Sequence, residues 1–266
     1  MKCNSSLIFK SNNKSYKKND KLKNYYFQKY PIKGILNKNL NKDLKDIVRI
    51  LNNEKPNLIY SYVLTSVSND KESFLQTGNA PNFQGDHITL CTCMHHMRCF
   101  IDNSLWENNV WLAGITGKNF SDNGNYLYYL MKISRSYLSQ YDLWNSKSLS
   151  DRDRKEKSSL SNYLGDLYEP KKKNLKNKID PKNYKSPING HCHHRDKSDN
   201  KWEYDINYFH NTYKRSQSFL LGDPFNSYIW EKPKIKINYL NEENKITNHP
   251  RTRRYIDFNS LIKYLQ

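Results

Sequence analysis

The sequence predicts an α+β protein: a small curved mixed β-sheet or barrel with peripheral helices and a long basic insertion. Three observations carry this. Short runs rich in β-branched and aromatic residues recur from residue 58 onward, separated by turn signals. Apolar residues at helical spacing stand near the two ends of the chain. Residues 145–200 lose periodicity and gain charge.

The elements follow in order. Residues 1 to about 38 are polar and Lys/Asn-rich, which predicts a mobile extension. Leu40, Leu44, Ile47, Val48 and Leu51 recur at spacings of three and four, an amphipathic helix that Pro56 ends. Leu58 to Thr65 reads as the first core strand, and 66–86 as a long loop. His87 to Cys93, Val110 to Ile115 and Tyr126 to Ile133 are the next strands, with Asn123-Gly124 as a turn signal before the last. Ser134 to Trp144 starts a short helix, with Ser136, Ser139 and Asp142 as capping or exposed residues. Ser218 to Gly222 and Tyr228 to Trp230 are two further strands, separated by the Asp223-Pro224 turn. Phe258, Leu261, Ile262 and Leu265 predict a C-terminal helix. The division is 1–57 as a basic polar extension with one helix, 58–235 as the core domain, and 236–266 as a basic C-terminal segment.

The chain has 266 residues, 36% hydrophobic and 14% aromatic, enough for one substantial core. Its formal net charge is +18. Such a charge suits a polyanionic partner, nucleic acid or an anionic membrane face, although Lys/Asn/Tyr enrichment from a biased genome produces the same basicity with no ligand. Five cysteines, Cys3, Cys91, Cys93, Cys99 and Cys192, are odd in number and irregular in spacing, unlike a secreted disulfide framework. The N-terminus has only a three-residue apolar run, and no segment is apolar for long enough to span a bilayer. The expectation is a soluble intracellular protein, cytoplasmic or nuclear, with no membrane partner.

One stretch concentrates chemistry: Gly78-Asn79-Ala80-Pro81-Asn82-Phe83, then Thr89-Leu90-Cys91-Thr92-Cys93, then His95, His96 and Arg98. Asn79 and Asn82 place a donor and an acceptor side by side, which suits a nucleobase edge; an Asx-type turn that caps its own backbone uses the same residues. Arg98 and Lys118 stand near strand ends where they can hold phosphate or remain solvated. Gly114-Ile115-Thr116-Gly117-Lys118 lacks phosphate-loop spacing. Tyr62, Phe83 and Trp111 are stacking candidates, with the core as the alternative. The clusters at 91–99 and His191-Cys192-His193-His194 lack the knuckle spacing of a structural zinc site, so no metal is assigned, and no cofactor is legible. For acid–base or nucleophilic work the candidates are Cys93, Asp166, His194, His210 and Asp223.

Taken in order, these motifs resemble the nucleotide modification associated domain families, the second of that group most closely. Tyr60-Ser61-Tyr62-Val63-Leu64-Thr65, Gly78-Asn79-Ala80-Pro81-Asn82 and Thr89-Leu90-Cys91-Thr92-Cys93 with Arg98 resemble its opening. Trp111 to Lys118 is similar to its tryptophan-then-glycine strand. Leu127 to Ile133, with Tyr141 and Trp144, resembles the next strand and helix. Gly165-Asp166-Leu167-Tyr168 resembles a short glycine-aspartate motif, and Phe219 to Phe225 the final strand and turn. The resemblance covers about residues 58–230. It departs where the family tends to have Lys-Pro after the cysteine and this chain has Met94-His95, and in the lysine-rich insertion.

The resemblance implies association with systems that make, process or recognise modified bases in nucleic acid; the expected partner is nucleic acid, with DNA ahead of RNA. A PUA-like barrel of the kind seen in modified-base readers suits the strand pattern, by analogy of fold alone. A non-catalytic reader, and a small-molecule or metal-dependent enzyme whose basic surface is compositional, are the other two readings. In the leading one, the 78–83 loop, the thiol strand and the glycine-lysine corner meet around one recess.

Overall fold

The computed structural model describes residues 27–70, 72–117, 124–188, 191, 201–237, 253–256 and 265. Its centre is a curled, mixed six-stranded sheet in the order β10-β1-β5-β6-β9-β4. The members are β1 (Leu58–Leu64), β4 (Thr89–Leu90), β5 (Val110–Thr116), β6 (Leu127–Tyr137), β9 (Phe219–Ile229) and β10 (Arg253–Ile256). Only β1 and β5 run parallel; the other pairs are antiparallel. The α+β architecture with a small curved sheet is therefore as the sequence predicts.

The long middle strands, β5 above all, are buried on both faces, which is why they read as continuous apolar runs and not as alternation. Irregular register interrupts β5–β6 at Gly114/Ile115 and β6–β9 between Met131 and Arg135. Bulges of this kind bend the strands and curl the sheet. At Gly114 the sheet closes tightly: a Cβ there would sit 2.1 Å from Tyr129 Cε1 and 2.5 Å from Leu64 Cδ1. Tyr129 in turn meets Tyr62 hydroxyl to hydroxyl at 2.7 Å.

The helices are short and peripheral. α1 (Ile35–Lys38) and α2 (Leu44–Glu54) precede the sheet, and α2 buries Ile47 and Leu51 against it. The predicted helix thus starts later than its apolar spacing suggests; Leu40 instead bridges to Ile229 at the end of β9. α3 (Gln140–Trp144) is capped by Ser139, and α4 (Asp151–Glu156) carries a Ser150/Asp153 capping box. α5 (Tyr204–Asn207) leads into a small hairpin of β7 (Phe209–His210) and β8 (Arg215–Ser216).

Several expectations are corrected. The extension is not all tail: Gln28 is buried and its Nε2 donates to the carbonyls of Gly78 and Pro81. The 66–86 loop contains a hairpin, β2 (Val67–Asp70) with β3 (Ser73–Gln76). The predicted 87–93 strand shrinks to Thr89–Leu90, because a turn with left-handed residues at Cys93 and Met94 follows. Phe219–Ile229 forms one bulged strand and not two. The 145–200 insertion is only partly solvated: Lys157, Asp166, Leu167, Tyr168 and Tyr184 are all buried. Arg253 and Arg254 belong to a strand paired with β1. Most of the predicted C-terminal helix lies outside the described residues.

Candidate functional site

The site is built where the proline-bearing turn meets the thiol segment. The turn carries a cis Ala80–Pro81 bond. Two buried amides clamp it: Gln76 Nε2 donates to the carbonyls of Gly78 and Pro81 at 2.9 Å each, and Gln28 reaches the same two. Asn82 then exchanges backbone hydrogen bonds with Thr89 at 2.9 and 2.8 Å. This fixes the loop onto the strand that leads to Cys93.

Asn82 and Asn79 have different fates. Asn82 Nδ2 donates to the Leu164 carbonyl, and its Oδ1 accepts from Gln84 N and Lys157 Nζ. It is a structural tie between the turn and the insertion, so its amide is not available to a base edge. Asn79 is fully buried, and its Oδ1 lies 3.8 Å from Cys93 Sγ. Its Nδ2 has no hydrogen-bond partner among the described residues.

Arg98 follows on a single 3₁₀ turn, Met97–Cys99, and is fully buried. Its Nε donates to the Cys93 carbonyl at 3.1 Å and its Nη1 to the Ser218 carbonyl at 2.7 Å. The guanidinium lies over the Phe219 ring. Burial pulls its pKa down from the ordinary arginine value, while Cys91 and Asp205 act in the opposite direction; a guanidinium stays charged through such a shift. Its Nη2 has no partner among the described residues. A buried donor left unsatisfied costs about 1–3 kcal/mol, so such an atom marks a place where an acceptor fits.

Asp205, on α5, closes the cluster from the far side. Its Oδ2 accepts from Tyr168 Oη at 2.8 Å, and its Oδ1 accepts from the Cys93 backbone N–H at 3.4 Å and pairs with His95 Nε2 at 2.7 Å. Asp205 is fully buried, whereas the His95 side chain is 23% exposed and packs on Tyr208. Cys93 is half-buried, while Cys91 and Cys99 are buried. Burial pushes the Cys99 thiol up to about 11 and the Cys91 thiol well above its ordinary value, with Asp166 adding to the latter. Both stay protonated at neutral pH. Cys93 takes a positive φ of 55° and Met94 one of 46°, an uncommon pair of left-handed non-glycine residues that aims the turn into the cluster.

A second layer lies behind. Asp166 Oδ2 accepts from Thr89 Oγ1 at 2.7 Å, and its Oδ1 has no partner among the described residues. Burial pushes this carboxyl up to about 7, against the charge of Lys157 and the Thr89 hydrogen bond. Lys157 is itself fully buried and donates to the carbonyl and side-chain oxygens of Asn82. Tyr168 joins the two layers, because both Asp205 and Asp166 act on its hydroxyl. Gly165 packs so close to the Ser158 carbonyl that a Cβ would lie 2.6 Å from it. His191 Nε2 meets the Gly165 carbonyl at 2.7 Å, so His191 sits beside this layer.

Other sequence candidates sit elsewhere. Trp111 is fully buried in β5 and donates its indole N–H to Asn109. Phe83 stacks on Tyr30 at 5.3 Å and meets Tyr128 edge-on. Both rings are committed to the core, which removes them as stacking faces. Tyr62 is buried with its hydroxyl on Tyr129, close enough to feel Cys93 and Arg98. Asp223 caps its own turn through Phe225 N and Asn226 Nδ2, away from the cluster. His210 stacks face to face on His96 at 4.1 Å and on Tyr213 at 4.4 Å, an aromatic group linked to the site through Tyr208. Lys118 and His194 lie outside the described residues.

The structure therefore brings together Asn79, Cys93, Arg98 and, one layer back, Asp166. It adds Asp205, Tyr168 and the pairing of His95 with Asp205, which no spacing in the sequence singles out. No group of three His, Cys, Asp or Glu among the described residues has metal-binding geometry, and no helix among them is long and apolar enough to cross a membrane. No family model, no curated protein and no solved structure matches the chain.

Proposed function

We propose that this protein acts on nucleic acid, DNA in preference to RNA, at or beside modified nucleobases, and that the Asn79–Cys93–Arg98 cluster receives the base. One observation carries the reading: two buried donors, Asn79 Nδ2 and Arg98 Nη2, have no hydrogen-bond partner among the described residues, on side chains that each contact Cys93 through another atom. Thr92 Oγ1, one residue before Cys93, and Gln217 Oε1 also have no partner among the described residues, and Gln217 Nε2 is anchored on the Asp205 carbonyl. Donors beside an acceptor match a heterocycle that offers carbonyl oxygen and ring N–H together. The net charge of +18 supplies attraction to phosphate. The buried Asp205–His95 pair favours an enzyme over a passive reader, because a carboxylate that orients a half-open imidazole is acid–base machinery.

Fluorescence anisotropy with single- and double-stranded oligonucleotides tests the reading. Binding that weakens steeply between 50 and 500 mM salt, and falls at least tenfold in Asn79→Ala, is expected. Absent binding, or affinity indifferent to salt, overturns it.

A further inference from the structure

We propose that Cys93 is a nucleophile that adds reversibly to C6 of a pyrimidine base held in this cluster. The inference rests on the base-binding reading above and names its substrate class. Cys93 is the half-buried cysteine of the three described, and it occupies a left-handed position on the turn from β4 into the Met97–Cys99 helical turn. That geometry presents a side chain at a sharp strand-to-helix corner. Its backbone N–H and His95 Nε2 share one oxygen of the buried Asp205, so thiol segment and imidazole are registered on the same carboxylate. Asp205 is a positioning residue here, locked in turn by Tyr168. The Asn79 amide touches the thiol sulfur and carries a donor with no partner among the described residues; Arg98 holds the Cys93 carbonyl and carries another.

Chemistry selects the substrate. Among unmodified bases, the soft electrophilic carbon open to a thiolate is pyrimidine C6, conjugated to the C4 substituent. In the step, the Cys93 thiol gives its proton to water and the sulfur forms a bond to C6. The C5–C6 π pair moves into the ring, onto O4 of a uracil or N3 of a cytosine. Asn79 Nδ2 and Arg98 Nη2 are the donors the proposal assigns to that developing charge, in the manner of an oxyanion hole. C5 then takes a proton from water. Loss of either C5 hydrogen, with departure of the sulfur, restores the base and the thiol. Every atom and electron pair returns, and no oxidant or second reactant is consumed.

The signature is exchange of the C5 hydrogen with solvent. The full chain is incubated in D₂O with uracil- and cytosine-containing oligonucleotides, which are then digested to nucleosides and weighed by mass spectrometry. A one-dalton gain at least tenfold above the protein-free control is expected, abolished in Cys93→Ala and Cys93→Ser and kept in Cys99→Ser. Exchange retained in both Cys93 variants overturns the inference. Wild-type protein that binds the oligonucleotide without exchange overturns the inference and leaves the base-binding reading standing. Protein that neither binds nor exchanges overturns both. If both Cys93 variants fail to fold, alkylation of Cys93 in wild-type protein replaces them: loss of exchange in step with modification supports the inference, and exchange by fully alkylated protein overturns it.

Discussion

His95 Nε2 lies 2.7 Å from Asp205 Oδ1, across 110 residues of chain. This contact joins the thiol segment to the short helix that follows the basic insertion. It makes Asp205 the pivot of the site, because Tyr168 and the Cys93 backbone bond the same carboxylate.

Asp205→Ala leaves the Tyr168 hydroxyl and the His95 imidazole without their buried partner. Loss of such a carboxylate costs about 3 kcal/mol or more. Urea denaturation of Asp205→Ala and Asp205→Asn checks this: the alanine variant should lose clearly more stability, because asparagine keeps an acceptor and the volume.

Asp166 makes stability depend on pH in an unusual direction. Unfolded, its carboxyl titrates near 4; folded, burial raises it to about 7. Between those values the folded state holds the extra proton, so its contribution is full below about pH 4 and is lost as pH rises through about 7. Asp153 runs oppositely. Burial alone would raise it, but the His87 hydrogen bond and the Lys157 charge outweigh burial and hold it well below the usual range. Its contribution is present above about pH 4 and is lost as pH falls below that. Urea midpoints from pH 4 to 8 should show the Asp166→Asn variant gaining on wild type as pH rises. A constant difference contradicts the assignment.

Gly114→Ala forces a methyl group to within 2.1 Å of Tyr129. Overpacking of this kind costs about 1–3 kcal/mol. Because Tyr129 holds the Tyr62 hydroxyl near Cys93 and Arg98, the variant should lose oligonucleotide affinity as well as thermal stability. Calorimetry and anisotropy on one preparation check both.

Trp111→Ala separates core from site. Removing this fully buried indole costs about 3–5 kcal/mol, measured by denaturant unfolding. The salt dependence of nucleic-acid binding should not change, because the ring faces no ligand. A shallower slope would return Trp111 to the interface.

Much of the sheet was legible in the residues. β1 and β5 fall where β-branched and aromatic runs placed them, because strands buried on both faces leave a continuous apolar signature. The short hairpin of β2 and β3 was not, since Val67-Ser68-Asn69-Asp70 has the composition of a loop and gains its order from pairing. The charge run Asp151 to Lys155 read as solvated insertion, yet Ser150 and Asp153 cap a helix there, and Asp153 pins Asp86 and His87. At the site, Cys93, Asn79 and Arg98 were accessible because they are close in sequence. Asp205 was not, because an aspartate on a four-residue helix carries no spacing signal; only the fold returns it to Cys93. Asn82 and Phe83 take the alternatives their sequence leaves open: their neighbours in sequence suggest a ligand, while their neighbours in space hold one in the turn and the other in the core.

The central claim is that a nucleobase enters beside Cys93. Alkylation of Cys93 by iodoacetamide, followed by peptide mass spectrometry, reads this directly when done with a saturating oligonucleotide and with the same strand carrying one abasic position. The account predicts that base-bearing strands slow Cys93 alkylation at least fivefold and that the abasic strand relieves the protection. Equal protection by both strands, or none by either, would contradict it.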